Sequence, residues 1–332
     1  MDKFNTNEIL ILFVGTLQIG LGNGIAIKSN GQTILLDPKV SDFTSFVSHA
    51  HSDHSPQEII KKPFCTEETC KLLKLRNPDF RANVVKENKK IKIGDISARL
   101  ISSGHILGSA QTFIEADGHS ILYTGDFKLW QGLTSKAIDI RQADILITEA
   151  TYGRPSFRFP LIEDVRKQVI KWVLDQNKKG YKVNLGGYHI GKSQEAIKTL
   201  NREGIVPQVS ESIRKYCNIY NEFGVGLEVL ARGDQSNVFV GPMHAIRWIK
   251  DNRTKGCVLT GWSMSRDYGV QGFPLSDHCD FEQLMSFIQQ VNPKKVFCIH
   301  GYAKDLAKEI RSKLKIPAQV LEKRNQRRLI DF

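Results

Sequence analysis

Along the first 150 residues, apolar and polar positions change over in short runs bounded by turn residues, the pattern of half-buried strands. Such runs fall at 9–14, 24–28 and 33–36, with Asn30-Gly31 marking a turn. A short apolar run at 46–48 leads into His49, while 57–60 and 67–75 have helical character. Strands are predicted again at 91–93, 98–101, 112–115, 120–123 and 144–148. After Gly153 the period changes: Ile162, Val165, Val169 and Val173 recur at helical spacing over 161–177. A strand at 182–185, the pair Gly186-Gly187 and a helix at 193–201 begin a strand–helix alternation that continues to about residue 272. A helix at 280–291, a strand at 295–299 and a helix running through Lys313 complete the pattern. No fixed-period repeat is present. The expectation is an α/β protein with a strand-rich part at 1–155, an α/β insert at 156–272 and a return segment at 273–332.

Composition narrows the class. Of 332 residues 41% are hydrophobic and 25% charged, ordinary globular values, and 26 Gly with 11 Pro exclude a collagen-like chain. The apolar stretch at 9–27 is interrupted by Thr16, Gln18 and Asn23, so it fails as a membrane span, and it lacks the basic start of a signal peptide. The six Cys form no C-x-x-C pair and are expected as reduced thiols of a cytoplasmic protein. Forty-seven Lys and Arg against 35 Asp and Glu give a net charge of +12, which suits a polyanion such as nucleic acid, although a solvated basic face would give the same number. Local clusters occur at Lys86, Lys89, Lys90 and Lys92, and in the tail at Lys323, Arg324, Arg327 and Arg328.

Candidate chemistry is concentrated in Ser48-His49-Ala50-His51-Ser52-Asp53-His54. Alternate residues of an extended segment point the same way, so His49 and His51 can share one metal while Asp53 and His54 reach a second. Imidazole and carboxylate suit Zn²⁺ and tolerate Mn²⁺. With nine His in the whole chain, three within six positions is not chance enrichment of a polar loop. Four more candidates end apolar runs: His105, Asp126, His278 and His300. Singly each would be an ordinary cap or core residue; as a set they can complete a dinuclear site.

The order His49-x-His51-x-Asp53-His54, then His105, Asp126 and a late His300, resembles the metallo-β-lactamase fold. Thr148-Glu149-Ala150-Thr151, Leu275-Ser276-Asp277-His278 and Cys298-Ile299-His300-Gly301 resemble the further motifs of its β-CASP nucleases, and several stretches look most like the ligase-associated DNA exonuclease branch. The resemblance implies an αββα sandwich with an inserted α/β domain and two bound divalent cations, zinc or manganese. His49, His51 and His105 would hold one, Asp53, His54 and His300 the other, with Asp126 between them and Asp37 orienting a ligand from behind. A metal-activated hydroxide would attack phosphorus, with Asp53, Glu149 and His278 as catalytic residues: Glu149 holds His278, which serves as general acid. Products with a 5′-phosphate and a 3′-hydroxyl are implied, as is a DNA repair role linked to a ligase or helicase. A ribonuclease of the same architecture is the alternative. Cys279 stands where a small apolar residue is expected.

Gly186-Gly187-Tyr188-His189-Ile190-Gly191-Lys192-Ser193 fits G-x-x-x-x-G-K-[ST], between a predicted strand and a predicted helix, and alone would suggest a P-loop nucleotide-binding protein. No later strand ends in a convincing partner Asp. Lys192 and Ser193 are therefore expected to hold a phosphate of the nucleic acid, with simple helix capping as the structural alternative. Arg154 and Arg158 are candidate phosphate contacts, and Trp262, with Tyr152, Phe157 and Tyr188, a candidate stacking surface for unpaired bases.

Overall fold

The computed structural model describes residues 12–14, 17–231, 233–248 and 251–322. The basic tail cluster at 323–328 lies outside them, as do the first residues of the apolar run at 9–14.

Two seven-stranded sheets pack face to face. The first is ordered Leu12–Val14, Leu17–Gly22, Gly24–Ser29, Gln32–Leu36, Thr44–Phe46, Phe64–Cys65, Asn83–Val84. The second is ordered Ile91–Ile93, Ile96–Ser102, Ala110–Ala116, His119–Tyr123, Ile145–Glu149, Lys295–Ile299, Ala318–Val320. Alternation builds the layers. Ile145 and Ile147 join Ile19, Ile27, Leu36 and Phe46 between the sheets, while Leu146 turns to the other face. There Leu146, Val296 and Cys298 pack on Phe281, Leu284, Phe287 and Ile288 of the helix Phe281–Val291 and on Leu306 of the helix Ala303–Glu309. Strands buried on both faces are near-continuously apolar for this reason.

A third sheet of five parallel strands is ordered Gln208–Val209, Val238–Pro242, Lys182–Gly187, Thr254–Leu259, Gln271–Phe273. Helices Ile162–Lys178, Lys192–Arg202 and Glu211–Glu222 accompany it. Its core is continuous with that under helix Glu67–Arg76, because Ile213, Cys217 and Tyr220 belong to the same cluster as Cys70, Leu72 and Leu73. The chain leaves the second sheet after Glu149 and re-enters it at Lys295, its neighbour in parallel register. The architecture is thus a mixed α/β sandwich with an inserted α/β unit.

Two local expectations change. Residues 57–60 are not helical: Pro56 precedes them, and Glu58–Ile59 pairs instead with Val40–Ser41. The helix Glu211–Glu222, capped by Ser210, was not anticipated. All six cysteines are buried and unpaired, and no described helix is long and apolar enough to cross a membrane.

Candidate metal centre and active site

The site forms where strand ends from both seven-stranded sheets converge. In the first, the parallel neighbours Gln32–Leu36 and Thr44–Phe46 deliver Asp37 and the segment His49–His54. In the second, the parallel strands His119–Tyr123, Ile145–Glu149 and Lys295–Ile299 end at Asp126, Glu149 and His300. Asp37 and His300 both turn the chain with positive φ, +46° and +58°.

Hydrogen bonds settle which nitrogen each imidazole leaves bare. His105 Nδ1 donates to the Asp277 carbonyl (2.8 Å) and His51 Nε2 to the Ile190 carbonyl (3.3 Å). Ser48 Oγ gives its proton to Asp37 Oδ2 (2.6 Å), so it must accept from His49 Nδ1 (2.9 Å). A neutral imidazole has one N–H. Three unprotonated nitrogens therefore face one another: His49 Nε2 lies 3.0 Å from His51 Nδ1, and His105 Nε2 lies 3.2 Å from it. Asp126 Oδ2 stands 3.5 Å from His49 Nε2 and 3.7 Å from His105 Nε2. Bare lone pairs at such distances repel unless a cation lies between them. A tetrahedral zinc with bonds of about 2.0–2.1 Å would place its ligand atoms about 3.3 Å apart, close to what is observed. Burial is the main force that drives His49 and His105 well below the ordinary imidazole range and His51 down to about 4, which favours the neutral rings that could serve as metal ligands.

A second donor group adjoins the first. His54 Nδ1 donates to Asp37 Oδ2 (2.8 Å), which turns Nε2 toward Asp126 Oδ1 at 3.4 Å and Asp53 Oδ2 at 3.9 Å. Burial opposes a charge on His54, but the carboxylates of Asp126, Asp37 and Asp53 outweigh it and push the ring up to about 10. Asp53 is largely exposed, and the His300 ring sits 5.5 Å from that of His54. Asp37 organises both groups: besides His54 it accepts from Ser48 N, Ser48 Oγ and Tyr123 OH at 2.6–2.7 Å.

Beside the donors, His278 Nδ1 is 3.0 Å from both oxygens of Glu149. The Phe127 N–H (2.9 Å) and the Thr151 hydroxyl hold that carboxylate from behind. Burial works against both charges. The pairing prevails, raising His278 above and holding Glu149 below their ordinary values. The His278 ring lies 4.8 Å from that of His105.

Other expected contacts are placed differently. Lys192 is buried and its ammonium bonds Asp277 Oδ2 at 3.1 Å. Ser193 is buried, its hydroxyl donating to the Tyr188 carbonyl (2.6 Å). The amide of Gly191 is taken by Gln194 Oε1 and that of Ser193 by the Tyr188 carbonyl, so two of the N–H groups that a phosphate cradle would use are engaged within the P-loop lookalike itself. Arg154 is bound to Asp305 Oδ2 (2.7 Å) and Arg158 to Glu282. Tyr152 and Phe157 are core residues. Trp262 is half-buried against Tyr152 (4.8 Å) with the exposed Arg266 over its ring, and Tyr188 is exposed. Cys279 packs into the helix layer. Sequence reasoning gave no role to Asp277, Lys128, Ser48 or Tyr123; only Asp277, beside His278, carried any signal.

Residues 265–321 match the family model described as "Zn-dependent metallo-hydrolase RNA specificity domain". The chain is 32% identical to a segment of "Probable DNA ligase" of Opitutus terrae, across 84% of its own length and 29% of that protein. It is 26% identical to "RNase J-like protein" of Methanocaldococcus jannaschii, covering 92% of this chain and 96% of that one. The chain belongs to the metallo-β-lactamase β-CASP family. A crystal structure of a protein of unknown function from Enterococcus faecalis shares the fold, with a TM-score of 0.62 and 14% identity over 94% of this chain and 97% of that one. The matched model's description names a zinc-dependent hydrolase, and the converging donors are of the kind that could hold such a metal.

Proposed function

We propose that the protein is a metal-dependent phosphodiesterase acting on DNA ends, an exonuclease working with strand joining in repair. The observation that carries this reading is the convergence of three unprotonated imidazole nitrogens and a carboxylate within 3.0–3.7 Å, beside a His278 whose Nδ1 lies 3.0 Å from both Glu149 oxygens. His49, His51, His105 and Asp126 would hold one divalent cation, and Asp53, His54, His300 and Asp126 a second, zinc or manganese in each. Bound there, they would supply Lewis acidity to a phosphoryl group and an acidified water. The chain's own part is the leaving group. Glu149 engages Nδ1 of His278, which leaves the Nε2 proton for the departing oxygen, and one such positioned proton contributes about 10²–10⁴-fold. Trp262, packed on the Tyr152 whose ring lies 6.1 Å from that of His278 and with Arg266 over it, offers an unpaired base a stacking surface.

DNA as substrate, and the link to a ligase, are supported by the relative named a probable DNA ligase, which carries a segment similar to this chain within one polypeptide. A second reading, ribonuclease, is favoured by the RNA-specificity description of 265–321 and by the RNase J-like relative. The metal-binding lobe is assigned to 1–155 and 273–332 and the inserted lobe to 156–272, although the edge strand of the inserted sheet runs to Phe273. Six unpaired thiols fit a reducing compartment, the cytoplasm. The test is digestion of matched 5′- and 3′-labelled DNA and RNA, single- and double-stranded, with Zn²⁺ or Mn²⁺. The proposal expects mononucleotide release from DNA ends; cleavage confined to RNA would transfer the assignment to the second reading.

A further inference from the structure

The loop that follows the central strand of the inserted sheet touches the metal centre twice. The Ile190 carbonyl accepts from His51 Nε2. Two residues on, Lys192 is 4% exposed and reaches Asp277 Oδ2 at 3.1 Å. Asp277, 1% exposed, belongs to the segment that leads out of the sheet's edge strand, and its backbone carbonyl fixes the proton on His105 Nδ1. Lys128, equally buried, closes a ring: its ammonium donates to the His105 carbonyl (2.8 Å) and stands 3.9 Å from Asp277 Oδ1. His105 is thereby gripped at its imidazole and at its backbone, and both grips run through Asp277. Gly191 shows how closely the loop is seated, for at φ +91° a Cβ there would lie 2.9 Å from Asp277 Oδ2.

We propose that Lys192 is a positioning residue of the metal centre, an internal strut that, with Lys128, holds Asp277 so that His105 keeps its ligating nitrogen bare and aimed. The G-x-x-x-x-G-K-S loop is then a brace between the inserted sheet and the site, and neither a nucleotide loop nor a substrate-phosphate cradle. Three features support this. Each lysine is desolvated, and a buried charge persists only when paired. Asp277 faces two ammonium groups, so one lysine remains as counter-charge if the other is lost, and the fold can tolerate single substitutions. The same loop also orients His51, so two ligands of one cation depend on it. Partners behind a ligand typically govern metal affinity by about 10–100-fold.

The strut is independent of which nucleic acid is cleaved, and it is tested without substrate. Lys192→Met keeps the bulk of the side chain and removes its charge. Titration of the metal-free protein with Co²⁺, read by the visible absorption of the bound ion, is expected to show affinity for the tighter site lowered about 10–100-fold, with a changed band shape. Lys128→Met is expected to act in the same direction, and Asp277→Asn, which leaves the carbonyl to His105 in place, supplies a second route if either lysine variant fails to fold. Adding Lys192→Met to Asp277→Asn is expected to cost little more than Asp277→Asn alone. Unchanged Co²⁺ affinity and spectrum in folded Lys192→Met, together with a raised KM for nucleic acid, would overturn the strut and restore a phosphate contact. Normal Co²⁺ behaviour of the unsubstituted protein without cleavage of any nucleic acid would instead count against the proposed function.

Discussion

Replacing Glu149 by Gln removes one negative charge from a pair that is almost wholly out of water, with Glu149 1% exposed and both its oxygens 3.0 Å from His278 Nδ1. At an effective dielectric of about 20, Coulomb's law gives an attraction of roughly 5 kcal/mol at that separation, before the opposing burial of the ring. Opposite charges this close ordinarily move a pKa by about one to three units. The sign follows from His278 being the proton donor. The Glu149 charge raises its pKa against the opposing burial, so activity falls as pH rises through that raised value, and loss of the charge brings the value down. The basic limb of kcat against pH is therefore expected to shift to lower pH by about one to three pH units, with about 10–100-fold lower kcat at pH 8 and partial recovery at pH 6. The assay is initial-rate cleavage of a labelled oligonucleotide at saturating metal, with metal content checked at each pH. A variant with reduced kcat but an unmoved basic limb would refute the reasoning, because Glu149 would then act by shape and not by charge.

Other expectations follow from the same geometry. Asp37→Asn sets an amide among four donors and is expected to cost about 1–3 kcal/mol of stability in denaturant unfolding and about 10–100-fold in metal affinity; a neutral result would dissociate Asp37 from the ligands it holds. Asp126→Ala removes a donor shared by both groups, so cleavage is expected at background and bound metal per chain, by elemental analysis, should fall. Trp262→Ala is expected to weaken single-strand binding by about 1–3 kcal/mol, read by fluorescence anisotropy, with kcat at saturation unchanged; equal affinity would leave Trp262 as packing only.

What the sequence disclosed follows from locality. His49, His51, Asp53 and His54 fall within six positions, so one extended turn places them, whereas Glu149 and His278 lie 129 positions apart and acquired roles only through a family likeness. Asp277 escaped notice because it works through its backbone carbonyl, and Lys128 because a lysine's ordinary place is in solvent. The lookalike loop is ambiguous for a related reason: the letters G-x-x-x-x-G-K-S do not say whether the amides are free, and here Gln194 and Tyr188 take those of Gly191 and Ser193. Residues 57–60 failed as a helix because four positions are too few to outweigh a tertiary pairing with Val40–Ser41.

The central claim is that these imidazoles and carboxylates hold a pair of divalent cations on which phosphodiester cleavage depends. It is tested most directly by metal analysis and nuclease assay of the same sample, stripped by chelator and then titrated with Zn²⁺ or Mn²⁺. The account predicts an inert stripped protein whose cleavage returns with metal content and levels off at two ions per chain. Undiminished cleavage by protein shown to contain no metal would contradict it.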